Sequence, residues 1–104
     1  MIKQKSKDII EGRLTAEKNI QSFIDKIKKE NGEMNIVLHL NNNAVEEAKE
    51  IDTLLKKGEK VGKLAGLGVL IKSAINVKGL ICNCASKTLE NYKSGYDATV
   101  VRKL

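Results

Sequence analysis

The sequence predicts an α/β chain, and three observations predict it. Two segments carry apolar residues at helical spacing, two short aliphatic runs show no such spacing, and glycine or asparagine punctuates the junctions between them. Helix-period segments alternating with short apolar runs are the pattern of helices packed on strands.

The first helix is predicted over residues 15–30, where Ile20, Phe23, Ile24 and Ile27 share one face. Thr15 is its N-cap and Gly32 its stop. Residues 36–40, "IVLHL", lie between the polar stretches "NGEMN" and "NNN" and read as a buried strand. Asn43 and Glu46 then have the spacing of a capping box, and Val45, Ala48, Ile51 and Leu55 line one face of a second helix that Gly58 closes. Residues 59–66, "EKVGKLAG", form a polar, glycine-punctuated loop into the run 67–71, which reads as a second strand buried on both faces.

Beyond Ser73 the alternating "INVKGLI" predicts a strand or extended hairpin with Lys78 and Gly79 in its turn. Residues 85–93 suit a short helix or turn, and Asp97 is a good N-cap for a last helix carrying Val100, Val101 and Leu104 on one face. That helix has run only about two turns when the sequence stops. Strands buried on both faces also need more cover than two helices and a stub supply, so the expected folding unit is larger than the printed chain.

At 104 residues the chain is a single domain at most, able to bury roughly two thirds of its unfolded surface. Apolar residues make up 41%, charged residues 31% and aromatic residues 3%, which is a globular composition with an aliphatic core. The net charge of +6 permits attraction to a polyanion. The cations are nearly all lysines spread along the chain, however, and only Phe23, Tyr92 and Tyr96 offer rings for stacking, so no RNA-binding motif is legible. The N-terminus lacks the apolar core of a signal peptide, no window approaches the roughly 20 apolar residues of a membrane helix, and a lone pair of cysteines is no disulfide framework. The expectation is a cytoplasmic protein.

Few residues have the chemistry of a site. Cys82 and Cys84 provide two thiolates where zinc takes four ligands, and the one histidine, His39, falls inside the first predicted strand, where it reads as a core or edge residue. Gly62, Gly66 and Gly68 match neither G-x-G-x-x-G nor a G-K-[ST] ending, and suit a close backbone approach instead. Lys72, at the end of the second apolar run, is the candidate of interest. Burial there would disfavour its ammonium and yield a neutral, base-competent amine. The pattern alone gives more weight to a lysine that snorkels to solvent.

A resemblance changes that weighting. "LAGLGVLIKSAINVKGL" (64–80), "CASKTLENY" (84–92) and "YDATVVRKL" (96–104) resemble, in order and spacing, the opening conserved blocks of the amidase signature family, and most of all its tRNA-dependent amidotransferase branch. The blocks divide the chain into residues 1–63, a helical N-terminal region with one strand that fits the family loosely, and residues 64–104, the matched part of an amidase domain.

The resemblance implies an α/β/α sandwich around a mixed sheet, of which this chain is the N-terminal portion. It also implies that Lys72 is the general base of a Ser-cisSer-Lys triad that hydrolyses the side-chain amide of glutamine and passes ammonia on. The expected partners are the amidotransferase B and C subunits, with tRNA met only through the complex. No cofactor is expected in this chain, ATP and Mg being used by the partner subunit. No membrane is involved.

The chain departs from the family pattern in three places. Ala74 stands where Asn is usual, beside the base, and Gly68 where Pro is common. Both triad serines belong to a Gly- and Ser-rich segment, and none of the five serines here, at positions 6, 22, 73, 86 and 94, lies in such a segment. The chain is expected to supply the base without its nucleophile.

Overall fold

A computed structural model describes residues 1–104. Its elements are α1 (Ile2–Ile10), α2 (Ala16–Met34), α3 (Ala44–Lys56), one 3₁₀ turn (Lys87–Leu89) and α4 (Thr99–Arg102). The chain divides into two compact units: a helical unit of Met1–Val37 and Asn42–Val69, and a turn unit of Leu38–Asn41 and Leu70–Leu104.

The helical unit is organised around the first turn of α2. Thr15, extended at the N-cap, accepts a hydrogen bond from the Lys18 amide at 3.2 Å, as expected. The two amides before it are met from another helix, because the Asp52 carboxylate of α3 accepts from Ala16 N at 2.7 Å and Glu17 N at 3.0 Å. Three of the four donors that a helix start leaves open are thereby satisfied, and the negative charge sits at the positive end of the helix dipole. Ile9, Ala16 and Ala48 form the buried core, with Leu14, Ile20, Ile51, Leu55 and Leu67 packed against it.

Two of the helices close in the same manner. After α1, Arg13 N reaches Asp8 O and Gly12 N reaches Ile9 O; after α3, Glu59 N reaches Leu54 O and Gly58 N reaches Leu55 O. Each is a Schellman motif with a glycine in the left-handed conformation, φ +73° at Gly12 and +74° at Gly58. α1 lies outside the predicted elements: its apolar residues Ile2, Ile9 and Ile10 share a face but are sparse among its charged ones, and Ile9 alone among its residues is buried. At the start of α3 the capping box does not form, since Glu46 turns to Lys49 at 2.9 Å instead.

The strand expected at residues 36–40 is absent. α2 runs through Gly32 to Met34 and ends at Asn35 in the left-handed region, φ 51°. The Asn31 side chain then takes the backbone groups that a strand would need: its Oδ1 accepts from Ile36 N and Val37 N, and its Nδ2 donates to Val37 O at 2.7 Å. Nor is there a strand at 67–71. Leu67 packs on the helical core, but Val69 and Leu70 are 53% and 68% exposed and have no ladder partner. An extended segment is a strand only when a neighbour supplies its hydrogen bonds. The α/β expectation is therefore corrected for this chain, whose regular structure is helical, with one isolated antiparallel bridge between Ile81 and Lys93.

Candidate functional site

The residues singled out in the sequence, Lys72, Ser73, Ala74, Cys82, Cys84 and His39, all fall in the turn unit. Backbone turns shape this part of the chain, and polar side chains hold them. The Lys72 carbonyl accepts from Ile75 N at 2.9 Å, which bends the chain directly after the aliphatic run. A second turn follows, closed by Leu80 N to Val77 O at 3.0 Å, with Lys78 and Gly79 at its centre as expected and Gly79 at φ +79°. The segment then runs antiparallel to residues 92–94: Gly79 N donates to Ser94 O, Ser94 N to Leu80 O and Cys82 N to Tyr92 O.

Asp97 does not cap the last helix. Its carboxylate accepts from Lys78 N at 2.7 Å, and Ala98 takes the N-cap position of α4. A backbone amide in the tight turn had no other acceptor, and Asp97 supplies one while Ala98 N bonds to Asn76 O at 2.9 Å. Asn76 also donates to the Tyr96 hydroxyl at 2.7 Å. The C-terminal block is thus tied to the segment that follows Lys72 at three points.

Ser94 is buried, and its hydroxyl donates to Tyr96 O at 2.7 Å while accepting from Tyr96 N at 3.3 Å. Ser6 and Ser22 likewise donate to carbonyls, of Lys63 and Asn19. These three hydroxyls are engaged as structural donors.

Lys72 itself is exposed rather than enclosed by apolar side chains, and so is Ala74, while Ser73 is half-buried. The expected low-dielectric setting for the amine is not formed within these residues. What the structure does fix is the backbone around it, since the Ser73 carbonyl accepts from Cys84 N at 3.1 Å. Asn83, a residue that sequence reasoning passes over, is 8% exposed and makes three bonds around that contact. Its Oδ1 accepts from Ala85 N at 3.0 Å, its carbonyl accepts from Ser86 N at 2.8 Å, and its Nδ2 lies 3.2 Å from His39 Nε2. With Oδ1 occupied by an amide, Nδ2 is the donor of this pair and His39 Nε2 the acceptor. His39 is outside any strand and serves as the partner of Asn83.

Cys82 is buried and Cys84 exposed, and both are free thiols. No three His, Cys, Asp or Glu side chains gather as metal ligands. No helix is long and apolar enough to cross a membrane.

Comparison with known proteins reaches further along the chain than the three blocks do. The family model described as Amidase matches residues 18–104. The A subunit of glutamyl-tRNA(Gln) amidotransferase from Methanothermobacter thermautotrophicus is 44% identical over 92 residues, covering 88% of this chain and 20% of the relative. The protein of the same name from Methanobrevibacter smithii is 43% identical over 102 residues, or 97% of this chain and 22% of the relative. One of the same kind from Clostridium acetobutylicum is 36% identical over 104 residues, again 22% of its length. The chain thus spans about a fifth of the length of the curated relatives it matches. No solved structure matches it.

Proposed function

The chain belongs to the amidase family, and from that premise we propose that it is the N-terminal portion of the A subunit of a glutamyl-tRNA(Gln) amidotransferase. The observation that carries the reading is the identity of more than two residues in five with proteins of that name over nearly the whole chain. In the complete domain, residues 36–40 and 67–71 become strands of a mixed sheet in an α/β/α sandwich, where the exposed Val69, Leu70 and Ile71 find their cover.

Lys72 is then the general base. Once the rest of the domain excludes water from it, its neutral amine takes a proton through a bridging serine from a second serine, which attacks the glutamine side-chain amide. An acyl-enzyme is hydrolysed, and ammonia passes to the partner subunit, where ATP and Mg serve to activate glutamate on tRNA. The B and C subunits are the protein partners in this reading. Both serines would come from outside residues 1–104, because Ser6, Ser22 and Ser94 are committed to carbonyls and neither Ser73 nor Ser86 holds a nucleophile position.

Two glutaminase assays test this. The purified chain should release no detectable ammonia from glutamine. A chimera in which this chain replaces the matched fifth of the Methanobrevibacter smithii protein, assembled with that organism's partner subunits, should be active and should lose roughly 10³-fold or more on Lys72→Arg. Activity of the chain alone would overturn the missing-serine reading, and an active Lys72→Arg chimera would overturn the base assignment. A second reading, a non-catalytic remnant that docks on amidotransferase subunits, is favoured by the exposure of Lys72. It predicts an inert chimera and a chain that still co-purifies with the B subunit.

A further inference from the structure

Cys84 and Ala85 are consecutive non-glycine residues at positive φ, +50° and +56°, and Ser86 N closes the turn onto Asn83 O at 2.8 Å. Two central residues at positive φ are the signature of a type I′ turn, which favours Asn-Gly because side chains with a Cβ are strained there. Such strain persists only where the surroundings over-determine it. Here the over-determining residue is Asn83. Its side chain accepts from the Ala85 amide inside the turn, in the manner of an Asx turn, and is itself anchored by donating to His39.

The turn has one outward bond of consequence. It aims the Cys84 amide at the Ser73 carbonyl, 3.1 Å away, on the residue next to Lys72. A turn relaxed to ordinary negative φ would swing that amide away and leave the Lys72–Ser73 backbone held only by the Lys72 to Ile75 turn.

We propose that Asn83 is a positioning residue for Lys72, holding the Cys84–Ala85 turn in its left-handed form so that the Cys84 amide fixes the Ser73 carbonyl. The catalytic meaning of this rests on Lys72 being the base, but the mechanical coupling does not, and the test reads the coupling. Amide exchange and backbone chemical shifts are measured by NMR on the whole 104-residue chain and its variants.

In Asn83→Ala the Cys84 amide should exchange at least about tenfold faster and the Lys72 and Ser73 shifts should move toward coil values, with the Ala16 and Asn19 amides of the helical unit unchanged. Asn83→Asp keeps the acceptor for Ala85 N while losing the donation to His39, and should restore most of both signals; so should Asn83→Ala combined with Ala85→Gly, because glycine needs no clamp at positive φ. A residue that merely filled space would be rescued by the isosteric aspartate but not by Ala85→Gly. If Asn83→Ala leaves the Cys84 amide and the Lys72 shifts as they are, the proposal is overturned. Should Asn83→Ala unfold the turn unit, the glycine double variant decides: its failure to protect the Cys84 amide also overturns the proposal. A chimera that stays active on Lys72→Arg, with the coupling intact in the chain, would sink the catalytic reading alone.

Discussion

In the helical unit, polar side chains close the start of α2, backbone turns at Gly12 and Gly58 end α1 and α3, and a small core of Ile9, Ala16 and Ala48 does the rest. In the turn unit there is almost no regular structure to close. Polar side chains there hold individual turns: Asp97 on the Lys78 amide, Asn83 on the Ala85 amide, Ser94 across residues 94–96. The first arrangement stores its stability in packing and helix caps, and the second stores geometry. Lys72, the candidate base, sits in the second unit, where hydrogen-bonded turns rather than a packed core fix the backbone around it.

The contrast is broken most severely at Gly66. A Cβ there would lie 2.7 Å from Ala16 Cβ and 3.2 Å from Ile9 Cγ2, against two of the three buried core residues, and the backbone has φ +75°. The Gly66 carbonyl also accepts from the buried Asn19 side chain at 2.8 Å, so the segment cannot simply back away. Gly66→Ala should cost about 3 kcal/mol, from overpacking and left-handed strain together. The check is the denaturant midpoint, with loss of α2 amide protection preceding any change at Cys84. Asp52→Ala comes next, at about 2 kcal/mol, because it strands the buried Ala16 amide as well as removing a charge from a helix start. Asp52→Asn, which keeps an acceptor, should lose less than half of that.

How much of this is legible in the sequence follows the same division. α2 and α3 are visible because their apolar residues recur at helical spacing, and Thr15 caps as its type suggests. α1 is hidden because its apolar face is carried by Ile2, Ile9 and Ile10 alone, with about two turns of polar residues between the first and the second. Its stop at Gly12 has the same form as the stop at Gly58, and that is the available clue. The two expected strands fail because an aliphatic run states only that it should be covered, while a strand also requires a neighbour with free backbone groups. At residues 36–37 the Asn31 side chain supplies those bonds first.

The site shows the same limit. Lys72 and its block are recognisable as residue types in order, and so is the turn at Lys78–Gly79. Asn83 carries no such signal, since its importance comes from backbone angles two residues on and from a histidine 44 positions away in sequence. Asp97 has the local spacing of a helix cap, and a tertiary amide outcompetes the helix for it.

The turn unit should respond to glycine in the opposite sense from the helical unit. Ala85→Gly removes a Cβ from a residue at φ +56° that is exposed and packs against little. Stability should rise by about 1 kcal/mol, and the gain should shrink the dependence on Asn83. A loss of stability would mean that the left-handed turn is not strained and that the comparison with Gly66 has no basis.

The smallest effect separates charge from packing. Asp8 on α1 is held below its ordinary carboxyl value of 3.8, first by the hydrogen bond from Arg13 and then by that from Gln4. Arg13 lies 2.7 Å from it through Nη2 and also pairs with Glu11. Because the folded state depresses this pKa, the contribution is fully present above 3.8 and is lost as pH falls through the lower folded value. The pair is on the surface and screened, so acid should loosen the α1 terminus well before it disturbs the core. Following the Asp8 carboxyl by NMR should give a midpoint under 3.8 that returns toward it in Arg13→Gln. A midpoint unmoved by that substitution would show that the Schellman closure at Gly12, and not the ion pair, sets the end of α1.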